Sequence, residues 1–95
     1  METIKTLYQN ERRALKLSLY NDNDSFDDIT ESFYSVYDND GNIVIAEQKA
    51  YTDDNSASVV IGTTVTSTIG TYYIIWKIID NNNYIYYHKT LLQVT

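Results

Sequence analysis

The chain has no cysteine, no proline and only three glycines in 95 residues. Without cysteine there is neither a disulfide framework nor a thiolate metal site, so stability must come from packing or from partners, and the redox compartment stays open. Without proline, turns must be built from Asn, Asp and Gly. These residues occur in four clusters: Asn21-Asp22-Asn23-Asp24, Asp38-Asn39-Asp40-Gly41-Asn42, Asp53-Asp54-Asn55 and Asn81-Asn82-Asn83. No window approaches ~18 consecutive apolar residues, and Met1 to Asn10 lacks an apolar leader core. Neither a membrane span nor a secretory signal is therefore expected, and the chain reads as soluble and unprocessed. Basic residues are too few and scattered to form the clustered surface that phosphate contacts require, which disfavours direct nucleic-acid binding.

What the chain does have is strand-forming material. Ten tyrosines accompany many Ile, Val and Thr residues, and β-branched and aromatic side chains suit a pleated, half-buried surface. A composition 43% hydrophobic and 21% charged is that of a globular protein, and the length fits one domain, residues 1–95, with a modest core. The formal charge of −6 is uneven. Between Asn21 and Ser56, ten acids against Lys49 give −9, and the rest of the chain carries +3. Such asymmetry can orient docking onto a charged partner.

Seven strands are expected. Ile4 to Tyr8 is the first, an edge, with Leu7 and Lys5 opposite Ile4, Thr6 and Tyr8. Arg13 to Tyr20 is the second, with Leu15, Leu17 and Leu19 inward. Helix formers in Asn10 to Tyr20 leave a helix as the alternative there. Glu31 to Tyr37 is the third, and either Phe33/Tyr37 or Tyr34/Val36 could face the core. An Asp-Gly turn leads to the fourth, Ile43 to Ala50. An acidic connection, Tyr51 to Ser56, precedes the fifth, Ala57 to Ile61, and Gly62 to Thr68 reads as a crossing between two sheets. Gly70 to Asp80 and Tyr84 to Val94 form a long final hairpin around Asn81-Asn82-Asn83. On its first arm Tyr72, Ile74, Trp76 and Ile78 share one face. The spacing argues for an all-β, two-layer sandwich, with a small barrel as the other possibility.

No catalytic constellation is visible. His88 lacks a local orienting acid and nucleophile, so a structural role is expected and no enzyme activity is assigned. Asp38, Asp40 and Asn42 alternate as in a calcium loop, but Ile43 stands where such a loop needs glycine and Lys49 where it needs a bidentate acid, so the stretch reads as a hairpin turn. Asp22, Asp24, Asp27 and Asp28 form a second oxygen-rich loop open to adventitious divalent ions. Asn23-Asp24-Ser25 fits a glycosylation sequon only in a secretory setting. No cofactor and no resident metal is expected. The hairpin face opposite Trp76 leaves apolar residues without cover, so Tyr73, Ile75, Tyr84, Ile85 and Tyr87 are the candidate protein-interaction residues. A carbohydrate- or receptor-binding role, with Tyr84 or Tyr86 stacking on sugar rings, is the alternative.

Four stretches, Tyr8-Gln9-Asn10-Glu11-Arg12-Arg13-Ala14-Leu15, Tyr37-Asp38-Asn39-Asp40-Gly41-Asn42-Ile43-Val44, Gly70-Thr71-Tyr72-Tyr73-Ile74-Ile75-Trp76-Lys77 and Tyr87-His88-Lys89-Thr90-Leu91-Leu92-Gln93-Val94, give the chain a pattern that resembles small tailed-bacteriophage virion proteins with an immunoglobulin-like sandwich. It also looks somewhat like the amino-terminal β-domain of phage baseplate upper proteins. The resemblance implies a seven-stranded immunoglobulin-like β-sandwich. It also implies an assembly role in many copies: capsid decoration, head–tail joining or fibre attachment. The implied partners are coat, portal, neck, tail or fibre proteins, with no direct nucleic acid and no membrane, in a virion whose proteins are made in the host cytoplasm. The family supplies no catalytic residue to carry over.

Overall fold

The computed structural model describes residues 3–18, 29–53 and 56–95. Among the described residues there are eight strands: β1 Thr3–Leu7, β2 Arg13–Ser18, β3 Ile29–Asp38, β4 Ile43–Lys49, β5 Tyr51–Asp53, β6 Ser56–Ile61, β7 Gly70–Asp80 and β8 Ile85–Val94. One helical turn, α1, spans Thr63–Thr66. The strands form a five-stranded sheet in the order β1-β8-β7-β3-β4 and a three-stranded sheet in the order β2-β6-β5. All pairings are antiparallel except β1 with β8, where Thr3 to Leu7 run beside Thr90 to Val94.

The expectation of seven strands is corrected to eight. β5 lies inside the stretch read as an acidic connection. After β4 the chain leaves the larger sheet: the Ala50 amide donates to the Ser32 carbonyl at 2.9 Å, and Tyr51 to Asp53 then pair with Ser58 to Ser56. Three residues are too few for a readable alternation, and their pairing with β6 leaves no trace in one-strand periodicity. The third strand also begins two residues before the expected Glu31, at Ile29. The crossing segment after Gly62 does carry the chain between sheets, but through the single turn α1. The predicted inward place of Leu19, the oxygen-rich loop Asp22 to Asp28 and the sequon at Asn23 lie outside the described residues.

The core follows from alternation. β7 alternates without a break, and Tyr72, Ile74, Trp76 and Ile78 are buried. They join Leu15, Leu17, Val59 and Ile61 of the smaller sheet in one cluster with Leu7, Val36, Leu92 and Val94. The open choice on β3 resolves for Tyr34 and Val36: Val36 is wholly buried and Tyr34 packs against the cluster. Polar groups inside are paired. The Trp76 indole N–H donates to Thr90 Oγ1 at 3.0 Å, and among the described residues no buried side-chain nitrogen or oxygen lacks a partner. This satisfies the requirement that buried polar atoms be hydrogen-bonded.

Near the start of β7 the Tyr72 hydroxyl donates back to the Thr68 carbonyl at 2.8 Å. A tyrosine there, bonded a few residues upstream, is the tyrosine corner of sandwich folds, and it stands two residues before the second cysteine of disulfide-bonded versions. Here that place is held by Ile74, which is fully buried. An apolar residue of the core cluster thus stands where that cysteine would be.

Both hairpins of the larger sheet close with one device. Asp38 Oδ1 accepts from the Asp40 and Asn42 amides, each at 2.9 Å, and Gly41 takes φ 86°. Asp80 Oδ1 accepts from the Asn82 and Tyr84 amides at 2.9 and 3.0 Å, and Asn83 takes φ 64°. Glycine and asparagine are the residues that tolerate this left-handed region. The β1–β2 turn is held by the Glu11 carboxylate, which accepts from the Tyr8 amide at 2.8 Å and from Arg13 Nε at 2.7 Å.

Two predictions follow from the corner and the turns. Tyr72→Phe should keep the fold and lower unfolding free energy by about 1 kcal/mol, the worth of one net hydrogen bond, read by denaturant titration. The amides of Asn42 and Asp40 hold the Asp38 carboxyl below the ordinary carboxylate range, so its contribution is complete above the unfolded value of about 3.9 and is lost as pH falls below it. Stability against pH should therefore drop less steeply below about pH 4 in Asp38→Asn than in the parent.

Candidate protein-contact face

The solvent side of the five-stranded sheet is built by the odd-numbered residues of β7 and the residues paired with them. Ladder partners share a face. One row therefore crosses all five strands: Ile4, Leu91, Tyr73, Tyr37 and Ile43. The next rows set Lys89 beside Ile75 and Ser35, then Tyr87 beside Lys77, Phe33 and Lys49, then Ile85 beside Ile79 and Glu31. Ile4, Ile43, Ile85 and Tyr87 are 60%, 64%, 52% and 68% exposed, whereas Tyr73, Ile75 and Leu91 are half-buried by their neighbours.

Two lysines lie over aromatic rings on this face. Lys89 Nζ is 4.2 Å from the Tyr73 ring centre and Lys77 Nζ is 5.7 Å from that of Phe33. Such cation–π contacts are worth roughly 0.5–1 kcal/mol where exposed, and the lysine stems cover apolar surface while their heads stay wet. At about 4.8 Å between strands and 3.3 Å per residue, the face measures at most roughly 35 by 20 Å. That approaches the ~800 Å² each partner contributes to a standard interface.

Of the five sequence-predicted contact residues, the fold brings Tyr73, Ile75, Ile85 and Tyr87 onto one surface. Tyr84 stands elsewhere. Its carbonyl accepts from the Asp80 amide, and its amide is bound by the Asp80 carboxylate, so it belongs to the turn and follows the alternation of Tyr86. Sequence reasoning missed Ile4, Phe33, Tyr37, Ile43 and Leu91, because a sheet face combines strands whose register is invisible to one-strand periodicity. It also missed the pairing of Lys89 with Tyr73 and of Lys77 with Phe33.

The remaining candidates are placed as follows. His88 sits opposite Trp76 on β8, and partial burial pushes its imidazole below the ordinary value, favouring the neutral form. Asp38 is absorbed in its turn. Among the described residues no three His, Cys, Asp or Glu side chains stand close enough to hold a metal ion, and no helix is long and apolar enough to cross a membrane. A shallow cleft of about 480 Å³ opens where the chain passes from β4 of the larger sheet to β5 of the smaller one, lined by Ala14, Tyr34, Lys49, Ala50, Tyr51, Ser58, Val59 and Val60.

No family model and no curated protein matches the chain. Among solved structures, it is similar to a chain described in photo-crosslinking work on multimeric cell-adhesive interactions of VGSC beta subunits. That chain is 15% identical, with a TM-score of 0.53, and the match covers 99% of this chain and 92% of the other. The likeness is one of fold.

Because Tyr87 is mostly exposed, Tyr87→Ser should change unfolding free energy by no more than about 0.5 kcal/mol. Trp76→Ala, on the buried face of the same hairpin, should cost about 3–5 kcal/mol. Parallel denaturant titrations of the two variants check the assignment of faces.

Proposed function

We propose that the protein is a non-enzymatic structural component of a tailed-bacteriophage particle, an immunoglobulin-like module attached through the solvent face of its five-stranded sheet. The observation that carries this reading is the apolar row Ile4, Leu91, Tyr73, Tyr37 and Ile43, which crosses all five strands without a charged residue. Contiguous exposed apolar surface of this kind marks contact sites, and tyrosines supply large contact area with a polar tip at little entropic cost. The face is the open side of a sheet, whereas small-molecule sites are concave.

Three further points support the reading. The sequence pattern resembles phage virion proteins. The similar solved structure comes from work on multimeric cell-adhesive interactions, a use of this fold in protein–protein contact. The carboxylates of Asp38, Asp80 and Glu11 are taken up in turns, which suits a passive role. The protein is then made in the host cytoplasm and resides in the virion.

The reading predicts several copies per purified particle by quantitative mass spectrometry. Tyr73→Ser and Tyr87→Ser should each leave the isolated domain folded and lower that copy number severalfold. Normal incorporation of both variants would rule the face out as the contact, and absence of the protein from particles would rule out the virion role.

A further inference from the structure

The turn between β3 and β4 contains a reactive pair. Asp40-Gly41 is the only place in the chain where glycine follows an acid or an amide residue. Glycine has no Cβ, so its amide nitrogen is the least hindered backbone nucleophile toward the carboxyl group before it. Both residues are exposed, and a Cβ added to Gly41 would meet nothing within 4 Å, which leaves room for a ring. The second hairpin is closed by the same bonds, with Asp80 in the place of Asp38. There Asn82-Asn83 stands where the first has Asp40-Gly41, and the Asn83 side chain hinders attack by its own nitrogen.

Three successive amides of the first turn end on Asp38. Those of Asp40 and Asn42 donate to its Oδ1, each at 2.9 Å, and that of Gly41 donates to its carbonyl at 3.1 Å. We propose that Asp40-Gly41 is a site of spontaneous isomerisation to isoaspartate, gated by the turn that Asp38 holds. The Gly41 nitrogen bonds to Asp40 Cγ; the carboxyl hydroxyl and the amide hydrogen leave as water, giving a cyclic imide. Water then opens either C–N bond. Opening at Cγ restores Asp40, and opening at the α-carbonyl leaves the chain running through the side chain. In the ring Asp40 Cγ takes the place on nitrogen that the hydrogen held, so the bond from Gly41 to Asp38 must break first. Once formed, isoaspartate lengthens the path from Asp38 to Asn42 by one methylene. That loosens the turn at the rung where Ile43 pairs with Tyr37.

The test follows the full chain over weeks at mildly acidic pH, with isoaspartate at position 40 read by peptide mapping and by isoaspartyl-methyltransferase labelling. The Asn42 and Asp40 amides hold the Asp38 carboxyl below the ordinary carboxylate range, so the gate stays in place under these conditions. Four samples are compared: folded parent, parent in urea, Asp38→Ala and Asp38→Asn. Isoaspartate should form slowest in the folded parent and fastest in urea. Asp38→Ala should raise the folded rate at least about fivefold, the factor equivalent to one net hydrogen bond, with native Trp76 fluorescence showing that the fold is kept. Asp38→Asn keeps a side-chain oxygen acceptor and should restore most of the protection. Equal rates in the folded parent and in urea, or in the parent and Asp38→Ala, overturn the gate. Absence of isoaspartate at position 40 even in urea overturns the site.

Discussion

The structure depends on the burial of one alternating row on β7. Tyr72, Ile74, Trp76 and Ile78 are each at most 7% exposed, and at roughly 1.5–3 kcal/mol per buried large side chain this row is a major share of what a small core supplies. β7 is also hydrogen-bonded to β3 along one side and β8 along the other. Fixing its inner row therefore fixes which residues of three strands face solvent. A slip of one residue would put Tyr73, Ile75 and Lys77 into the core, and burial of Lys77 makes that slip costly.

A chain without cysteine or proline has to hold two sheets together and reverse direction by other means. The sheets are joined by one apolar cluster that includes Leu15, Leu17, Val59 and Ile61 of the smaller sheet with Ile74 and Trp76 of the larger, and the Tyr72 hydroxyl ties the start of β7 to the segment before it. The reversals use carboxylates. Asp38 and Asp80 each accept two amides four residues or fewer ahead, with Gly41 or Asn83 taking the left-handed position. Part of the chain's acidity is therefore turn chemistry.

Much of this was legible one strand at a time. Alternation identified the inward faces of β2 and β7, and the clusters of Asp and Asn marked the hairpins. The role of Leu7 against Ile4 was readable from five residues. What escaped was whatever requires two strands at once. The parallel pairing of β1 with β8 joins residues ~90 positions apart and leaves no local trace. β5 exists only because β6 offers an edge to three residues after Ala50. The face of β3 was undecided because Phe33, Tyr34 and Tyr37 are all aromatic, and only the ladder with β7 assigns them. For the same reason the candidate face was anticipated as four residues of one hairpin plus Tyr84, whereas the ladders set Ile4, Phe33, Tyr37, Ile43 and Leu91 on the same side of the sheet and Tyr84 in a turn.

The outward face, an apolar row flanked by lysines resting on aromatic rings, is a by-product of the core only in its position, because burial of the inner row says nothing about what stands outside. Its Ile, Tyr and Leu residues are what makes the chain read as an assembly module. If the protein is the virion component proposed above, lysine-reactive labelling of it within purified particles, compared with the free protein, tests this most directly. The account predicts that Lys77 and Lys89 lose reactivity in the particle while Lys16, on the smaller sheet, keeps it. Equal labelling of all three in both states would contradict it.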